Sequence, residues 1–95
     1  MYFVFIPSIQ ANFNTMSADI SAQTANKYFT SNNLTIYSTT GKFQGTGTIG
    51  ITSVNSAAST AVGYFAGTAA EGVHGTTYQN ADVPNGMVGV FYGSR

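Results

Sequence analysis

The stretch Met87-Val88-Gly89-Val90-Phe91-Tyr92-Gly93 shows most clearly how this chain folds. Its residues fall into two alternating sets, which are Val88, Val90 and Tyr92 in one and Met87, Gly89 and Phe91 in the other. Successive side chains of a β-strand point to opposite faces, so a period of two indicates a strand rather than a helix. The stretch is therefore predicted to be a strand that presents a different set of side chains on each face.

The same period of two recurs along the whole chain. Leu34 and Ile36, for example, alternate with Thr35 and Tyr37. Threonine, tyrosine, phenylalanine and isoleucine are frequent, whereas the strong helix formers leucine, glutamate, lysine and arginine are scarce. The pattern predicts eight strands, over residues 2–6, 9–15, 18–24, 34–39, 43–54, 60–66, 73–79 and 87–93.

Residues that favour turns separate these runs. Turns are predicted at 31–33 (Ser-Asn-Asn), 40–42 (Thr-Gly-Lys), 55–56 (Asn-Ser) and 80–86, which contains Asp82 and Pro84. Residues 57–59 (Ala-Ala-Ser) are too few for an independent helix and are left as helix or loop.

The expected fold class is all-β, as an antiparallel up-and-down barrel of about eight short strands, with a sandwich-like meander as the alternative. A barrel has no exposed sheet edge. This suits the chain, because it has only six charged side chains with which an exposed edge could be protected from pairing with other strands. Residues 1–95 are expected to form one domain, either by themselves or as the C-terminal part of a longer exported protein.

Charge and cysteine content exclude several functions. Three Lys/Arg and three Asp/Glu give a formal net charge of zero, so the chain offers no basic stripe for nucleic acid or for an anionic membrane. Without cysteine there is no disulfide framework and no thiolate metal site. The apolar residues 1–7 are too short for a signal core or a membrane span and are interpreted as a strand.

Two local patterns could carry chemistry. Residues 45–50 spell G-x-G-x-x-G, but a dinucleotide site needs a helix after that loop, and Ile51 to Val54 continue a strand. His74, the only histidine, shares a predicted strand face with Tyr78. These two residues are weak candidates for binding a ligand such as haem iron. The alternative interpretation is that His74 is a surface histidine with no such role. We therefore predict no enzyme, no catalytic residue, no cofactor and no metal site.

Glycine is frequent inside the predicted strands, at positions 45, 47, 50, 63, 89 and 93. A glycine within a strand is typical of a bend, a bulge or a close approach, and less often of backbone that contacts a ligand. Neighbouring aromatic pairs, such as Tyr64-Phe65 and Phe91-Tyr92, must point to opposite faces. Some aromatic side chains are thus expected outside the core, which favours a protein partner or self-association.

A resemblance to a known family rests on residues 62–72. Gly63, Phe65, Gly67, Ala70 and Glu71 match, position by position, the G-x-F-x-G-P-x-A-E signature of transferrin-binding protein B-like β-barrel domains, with threonine in place of the proline. Residues 11–20, 43–47 and 87–95 resemble a hairpin, an F-x-G-T strand and the closing strand of the same family.

The resemblance implies a non-enzymatic bacterial module at the cell surface or outside the cell. Such a barrel would capture a ligand that serves as an iron source, or it would be recognised by an outer-membrane export machinery. The chain's own residues leave two alternatives open: a self-assembling structural subunit of an extracellular filament or matrix, in which an unpaired edge accepts a strand from a neighbour, and a small haem-binding barrel.

Overall fold

A computed structural model describes residues 2–52, 55–67, 70–80 and 86–94. These residues form eight strands and contain no helix, and accordingly no helix that could span a membrane. The strands are β1 (Tyr2–Phe5), β2 (Ser8–Asn12), β3 (Ser17–Thr24), β4 (Lys27–Tyr37), β5 (Lys42–Ile51), β6 (Asn55–Ala66), β7 (Gly72–Gln79) and β8 (Val88–Ser94).

All eight strands belong to one strongly curled sheet that forms a half-barrel, in the order β1-β8-β7-β6-β5-β4-β3-β2. From β2 to β8 each strand is antiparallel to the next, as an up-and-down arrangement requires. The predicted fold class, an all-β antiparallel up-and-down barrel of about eight strands, is confirmed in the form of a half-barrel that is mostly antiparallel.

The first strand departs from that pattern, because β1 pairs in parallel with β8. Only Ile6 and Pro7 separate β1 at one end of the sheet from β2 at the other. The curl therefore brings the two ends of the sheet together. Pro7 has no N–H to give to a ladder, and it lies where the chain leaves β8 and joins β3.

Several predicted boundaries were wrong. Residues 31–33 are not a turn but lie inside β4, where Asn33 has φ 59° and the pairing with β5 shifts register. Asparagine tolerates this left-handed conformation, and the backbone N–H of Asn33 donates to Asp19 Oδ1 at 2.9 Å, so the strand continues past a bulge. Residues 55–59 belong to β6, and residues 13–15 form a turn.

The turn expected at 40–42 is confirmed, and it covers residues 38–41. Most of the turn expected at 80–86 lies outside the described residues. Residues 53–54, the end of a predicted strand, also lie outside them.

The core lies on the concave face of the sheet and is organised by a line of phenylalanine rings. Neighbouring ring centroids are 5.0 to 6.0 Å apart, the spacing of favourable aromatic pairs. In order along the line the rings are those of Phe5, Phe29, Phe91, Phe43, Phe65 and Phe13. Leu34 and Ile36 are buried against the same core, as their alternation predicts, and so is Ile49.

The glycines within strands make room for these rings. Gly63 lies opposite Phe43, and Gly75 lies opposite Phe91, each in register on the neighbouring strand. A Cβ at either glycine would collide with the ring of its partner. Of the interpretations offered by the sequence, close approach is thus confirmed at Gly63, and the approaching group is a side chain of the protein itself.

Candidate functional site

The clearest candidate for a binding site is an apolar cleft of about 350 Å³ at one end of the half-barrel. It lies where the β2–β3 turn, the β4–β5 turn and the β6–β7 connection come together. Its lining includes Phe13, Met16, Ile36, Tyr37, Phe65 and Ala70. Its volume falls in the range of small-molecule sites, which are mostly apolar with a few polar groups.

Side-chain hydrogen bonds hold the first wall of the cleft, the β2–β3 turn. Asn12 Oδ1 accepts from the backbone N–H of Asn14 at 2.9 Å and of Thr15 at 3.2 Å, an arrangement typical of asparagine in turns. The N–H of Ile36 donates to the carbonyl of Met16 at 2.9 Å and fixes the turn against β4. The ring of Phe13 consequently lies edge-on against that of Phe65, with centroids 5.3 Å apart.

The opposite wall is the β6–β7 connection, which contains Gly67, Ala70 and Glu71, three of the five residues on which the family resemblance rests. Gly67 has φ 91° and Ala70 has φ 55°, and the N–H of Ala70 donates to the carbonyl of Gly67 at 3.2 Å. A Cβ at Gly67 would lie 2.5 Å from Cδ of Glu71, so conformation and space both favour glycine there. Phe65 N–H donates to the carbonyl of Gly41 at 2.9 Å, joining this wall to the β4–β5 turn.

The five residues on which the family resemblance rests therefore have different structural roles. Phe65 and Ala70 line the cleft, Gly67 and Glu71 contact each other within the connection, and Gly63 lies beneath the ring of Phe43 in the core. The intervening residues 68–69 lie outside the described part of the chain.

The two weak ligand candidates are not brought together. His74 and Tyr78 share one face of β7, as predicted, and that face is the outer one, but four residues apart on a strand they are separated by about 13 Å. His74 packs instead against Tyr64, with ring centroids 5.9 Å apart and ring planes at 24°. Neither residue lines the cleft, and the described residues contain no group of three or more His, Asp or Glu that could hold a metal ion.

A second opening lies at the seam where the two ends of the sheet meet. Pairing of β2 with β3 ends at Ser8 and Ser21, and no described strand pairs with residues 22–24 on that side. A cleft of about 410 Å³ lies beside this gap, lined in part by Ile6, Ala22 and Tyr28. The half-barrel is thus uncovered along part of its seam.

Sequence reasoning missed Met16, Ile36 and Tyr37 as site residues, and it placed Phe13 in a strand. The one available indication was an aromatic residue between two asparagines, Asn12-Phe13-Asn14, where the asparagines favour a turn and the phenylalanine then has no strand neighbours to bury it.

Comparison of the chain with protein-family models, with curated proteins and with solved structures finds no match. The resemblance to transferrin-binding protein B-like barrels therefore remains a prediction, based on the residues that suggested it.

Proposed function

We propose that this chain is a non-enzymatic binding module that receives an apolar group of its ligand in the cleft at the end of the half-barrel. The observation that supports this is the cleft itself, in which Phe13 and Phe65 from separate hairpins meet beside Met16 and Ile36. The proposal includes a location at the bacterial surface or outside the cell, with capture of a ligand such as an iron source, or recognition by export machinery, as its purpose.

Burial explains why such a cleft favours ligand binding. Phe13 keeps 42% of its surface exposed although it packs against the core line of rings. Covering exposed apolar surface is favourable by about 25 cal/mol for each Å² removed from water. Tyr37 and Ser38 also line the cleft and add polar residues beside its apolar ones.

An apolar fluorescent dye provides the test of the cleft. We expect 1-anilinonaphthalene-8-sulfonate to bind the native chain with increased fluorescence, and Phe13→Ser to remove most of that increase, because the substitution takes away one aromatic wall. Titration of dye into each folded variant, with circular dichroism to verify folding, measures the effect.

Tyr78→Ser is the matched control, because Tyr78 is also 42% exposed but lies on the outer face of β7, away from the cleft. Equal losses in the two variants, or no loss in Phe13→Ser, would contradict the assignment of the cleft as the binding site.

The uncovered seam favours self-assembly as a second candidate function. β1 pairs with β8 through only four residues and is the last described strand at that end of the sheet. An uncovered edge accepts a strand from another chain through main-chain hydrogen bonds. Val4 on β1 is 47% exposed, so this edge also presents apolar surface to a second copy.

Sedimentation velocity over a range of concentrations tests this second candidate. If copies join through β1, larger species should form as concentration rises, and Val4→Lys should suppress them, since a lysine on an edge strand opposes strand addition. Val88→Lys is the control, because it adds the same charge to β8, which has partners on both sides. A monomer at all concentrations, or equal suppression by both variants, would refute assembly through this edge.

A further inference from the structure

Three polar side chains lie buried in the apolar core of the half-barrel. Ser31, Ser59 and Thr77 are the buried polar residues of the described part of the chain, and each is at most 2% exposed. Ser59 shares the concave face of β6 with Gly63, and Thr77 shares that of β7 with Gly75. Because these two glycines lie against core rings, the hydroxyls of Ser59 and Thr77 lie within the core as well.

The three hydroxyls differ in their hydrogen-bond partners. Ser31 Oγ donates to the carbonyl oxygen of Thr46 at 2.6 Å, and a hydroxyl that donates still has lone pairs with which to accept. Within the described residues, Ser59 Oγ and Thr77 Oγ1 have no protein partner, although both atoms are buried. A buried hydroxyl without a partner is costly, because it has lost its hydrogen bonds to water. These two hydroxyls therefore need a partner that the protein itself does not supply.

The strand register brings the three residues together. Gly47 pairs with Ser31 on one side and with Ser59 on the other, so the residue between the two serines has no side chain. Ser59 and Thr77 are diagonal neighbours, because Thr77 pairs with Ala61, two residues along β6 from Ser59. The Cβ atoms of such neighbours lie less than about 8 Å apart. Two consecutive O–H···O bonds span about 5.5 Å, so one small molecule can bond to both hydroxyls.

The directions of the neighbouring side chains agree with a shared site. A Cβ placed on Gly89 of β8 would lie 3.1 Å from Thr77 Cγ2, so the methyl group of Thr77 faces β8. β6, which carries Ser59, lies on the other side of β7. Ser31 lies close over Gly47, since its Cβ would be 2.9 Å from a Cβ there. The methyl group thus points away from Ser59, and Ser31 lies on the side of its own strand that faces β6.

The surroundings determine which ligand fits. The buried residues of the described chain include no charged side chain, so an ion in this place would be buried without a counter-charge. The low exposure of all three residues excludes an organic molecule. Water is small and neutral, and it both donates and accepts hydrogen bonds, as the hydroxyls do.

We propose that Ser59 and Thr77 hold one internal water molecule between them in the core, with Ser31 Oγ as a further acceptor. This water joins β6 to β7, and through Ser31 it also joins them to β4. It satisfies the two hydroxyls that have no protein partner. None of the three residues lines the cleft, so the proposal does not depend on the binding function proposed there.

Oxygen-17 relaxation dispersion of the native chain tests the proposal, because it detects whole water molecules held by the protein and does not respond to exchanging hydroxyl protons. We expect its amplitude to exceed that of the variant carrying both Ser59→Ala and Thr77→Val by the contribution of one water molecule. Thr76→Val is the matched control, because Thr76 is the next residue on β7 but is exposed on the outer face, and it should leave the amplitude unchanged. Equal amplitudes in the native chain and the double variant would overturn the proposal.

The sign of a stability change provides a second, independent test. If Thr77 Oγ1 has no partner, the isosteric Thr77→Val should stabilise the protein, because it removes an unsatisfied polar atom. If the hydroxyl binds the proposed water, the substitution should lower the ratio of folded to unfolded protein about fivefold relative to Thr76→Val. Urea unfolding measures this ratio, and Ser59→Ala serves in place of Thr77→Val if that variant does not fold. A stability equal to or above that of Thr76→Val would overturn the proposal.

Discussion

Replacing Phe91 by alanine is expected to lower the free energy of unfolding by about 3–5 kcal/mol, the usual cost of removing a buried phenylalanine. Phe91 is 1% exposed and lies in the middle of the line of rings, 5.4 Å from Phe29 and 6.0 Å from Phe43. Gly75, opposite it, has no side chain that could fill the space left by the ring. The cavity would consequently remain, and a domain of this size has only about 5–15 kcal/mol to lose.

Urea unfolding followed by circular dichroism measures this effect. Tyr92→Ala is the matched control, because Tyr92 is the next residue on the same strand but is 55% exposed on the convex face. Surface substitutions of that kind usually change stability by about 0.5 kcal/mol or less. Similar losses in the two variants would mean that the concave face is not the main core.

The assignment of side chains to the two faces of the sheet could be predicted from the sequence, because it depends only on the alternation along a pleated strand. Phe91 and Met87 are buried while Val88 and Tyr92 are exposed, as strict alternation requires. Leu34 and Ile36 follow the same rule on β4. No information about distant parts of the chain is needed for such a prediction.

The irregular features depend on interactions that a local pattern does not contain. The bulge at Asn33 is held by Asp19 on the neighbouring strand. The local sequence does not contain this contact, and residues 31–33 taken alone therefore indicate a turn. The parallel pairing of β1 with β8 joins the two ends of the chain. It arises only when the whole sheet curls.

The candidate sites show the same limit. Phe65 and Ala70 were singled out by their resemblance to a family signature, but their partner Phe13 comes from a distant hairpin that meets them only in the folded sheet. The alignment of Tyr64 and Tyr92 with His74 between them likewise requires the register of neighbouring strand pairs. Alternation could place Tyr64 and Tyr92 on an outer face, but it could not align them.

Replacing Gly75 by alanine is expected to destabilise the protein by about 1–3 kcal/mol, the usual range for overpacking. The new Cβ would lie 2.5 Å from Cζ of Phe91 and 2.7 Å from Cα of Gly63, besides colliding with the carbonyl oxygen of Val62. Two of these three contacts are with backbone in the middle of the sheet, which cannot move without disturbing the pairing of β6 and β7. The collisions should therefore outweigh the gain of about 0.4–1 kcal/mol that alanine brings by restricting the unfolded chain.

Gly72→Ala on the same strand separates these two effects. Its Cβ would approach no atom closer than 3.5 Å, so only the gain in the unfolded chain remains, and the variant should be as stable as the native chain or slightly more so. In a double-mutant cycle with Phe91→Leu, the two losses should be less than additive, because leucine removes the ring contact at Gly75→Ala but not the two backbone contacts. A Gly75→Ala variant as stable as Gly72→Ala in urea unfolding would show that neither the ring of Phe91 nor the backbone of β6 lies close enough to Gly75 to exclude a Cβ.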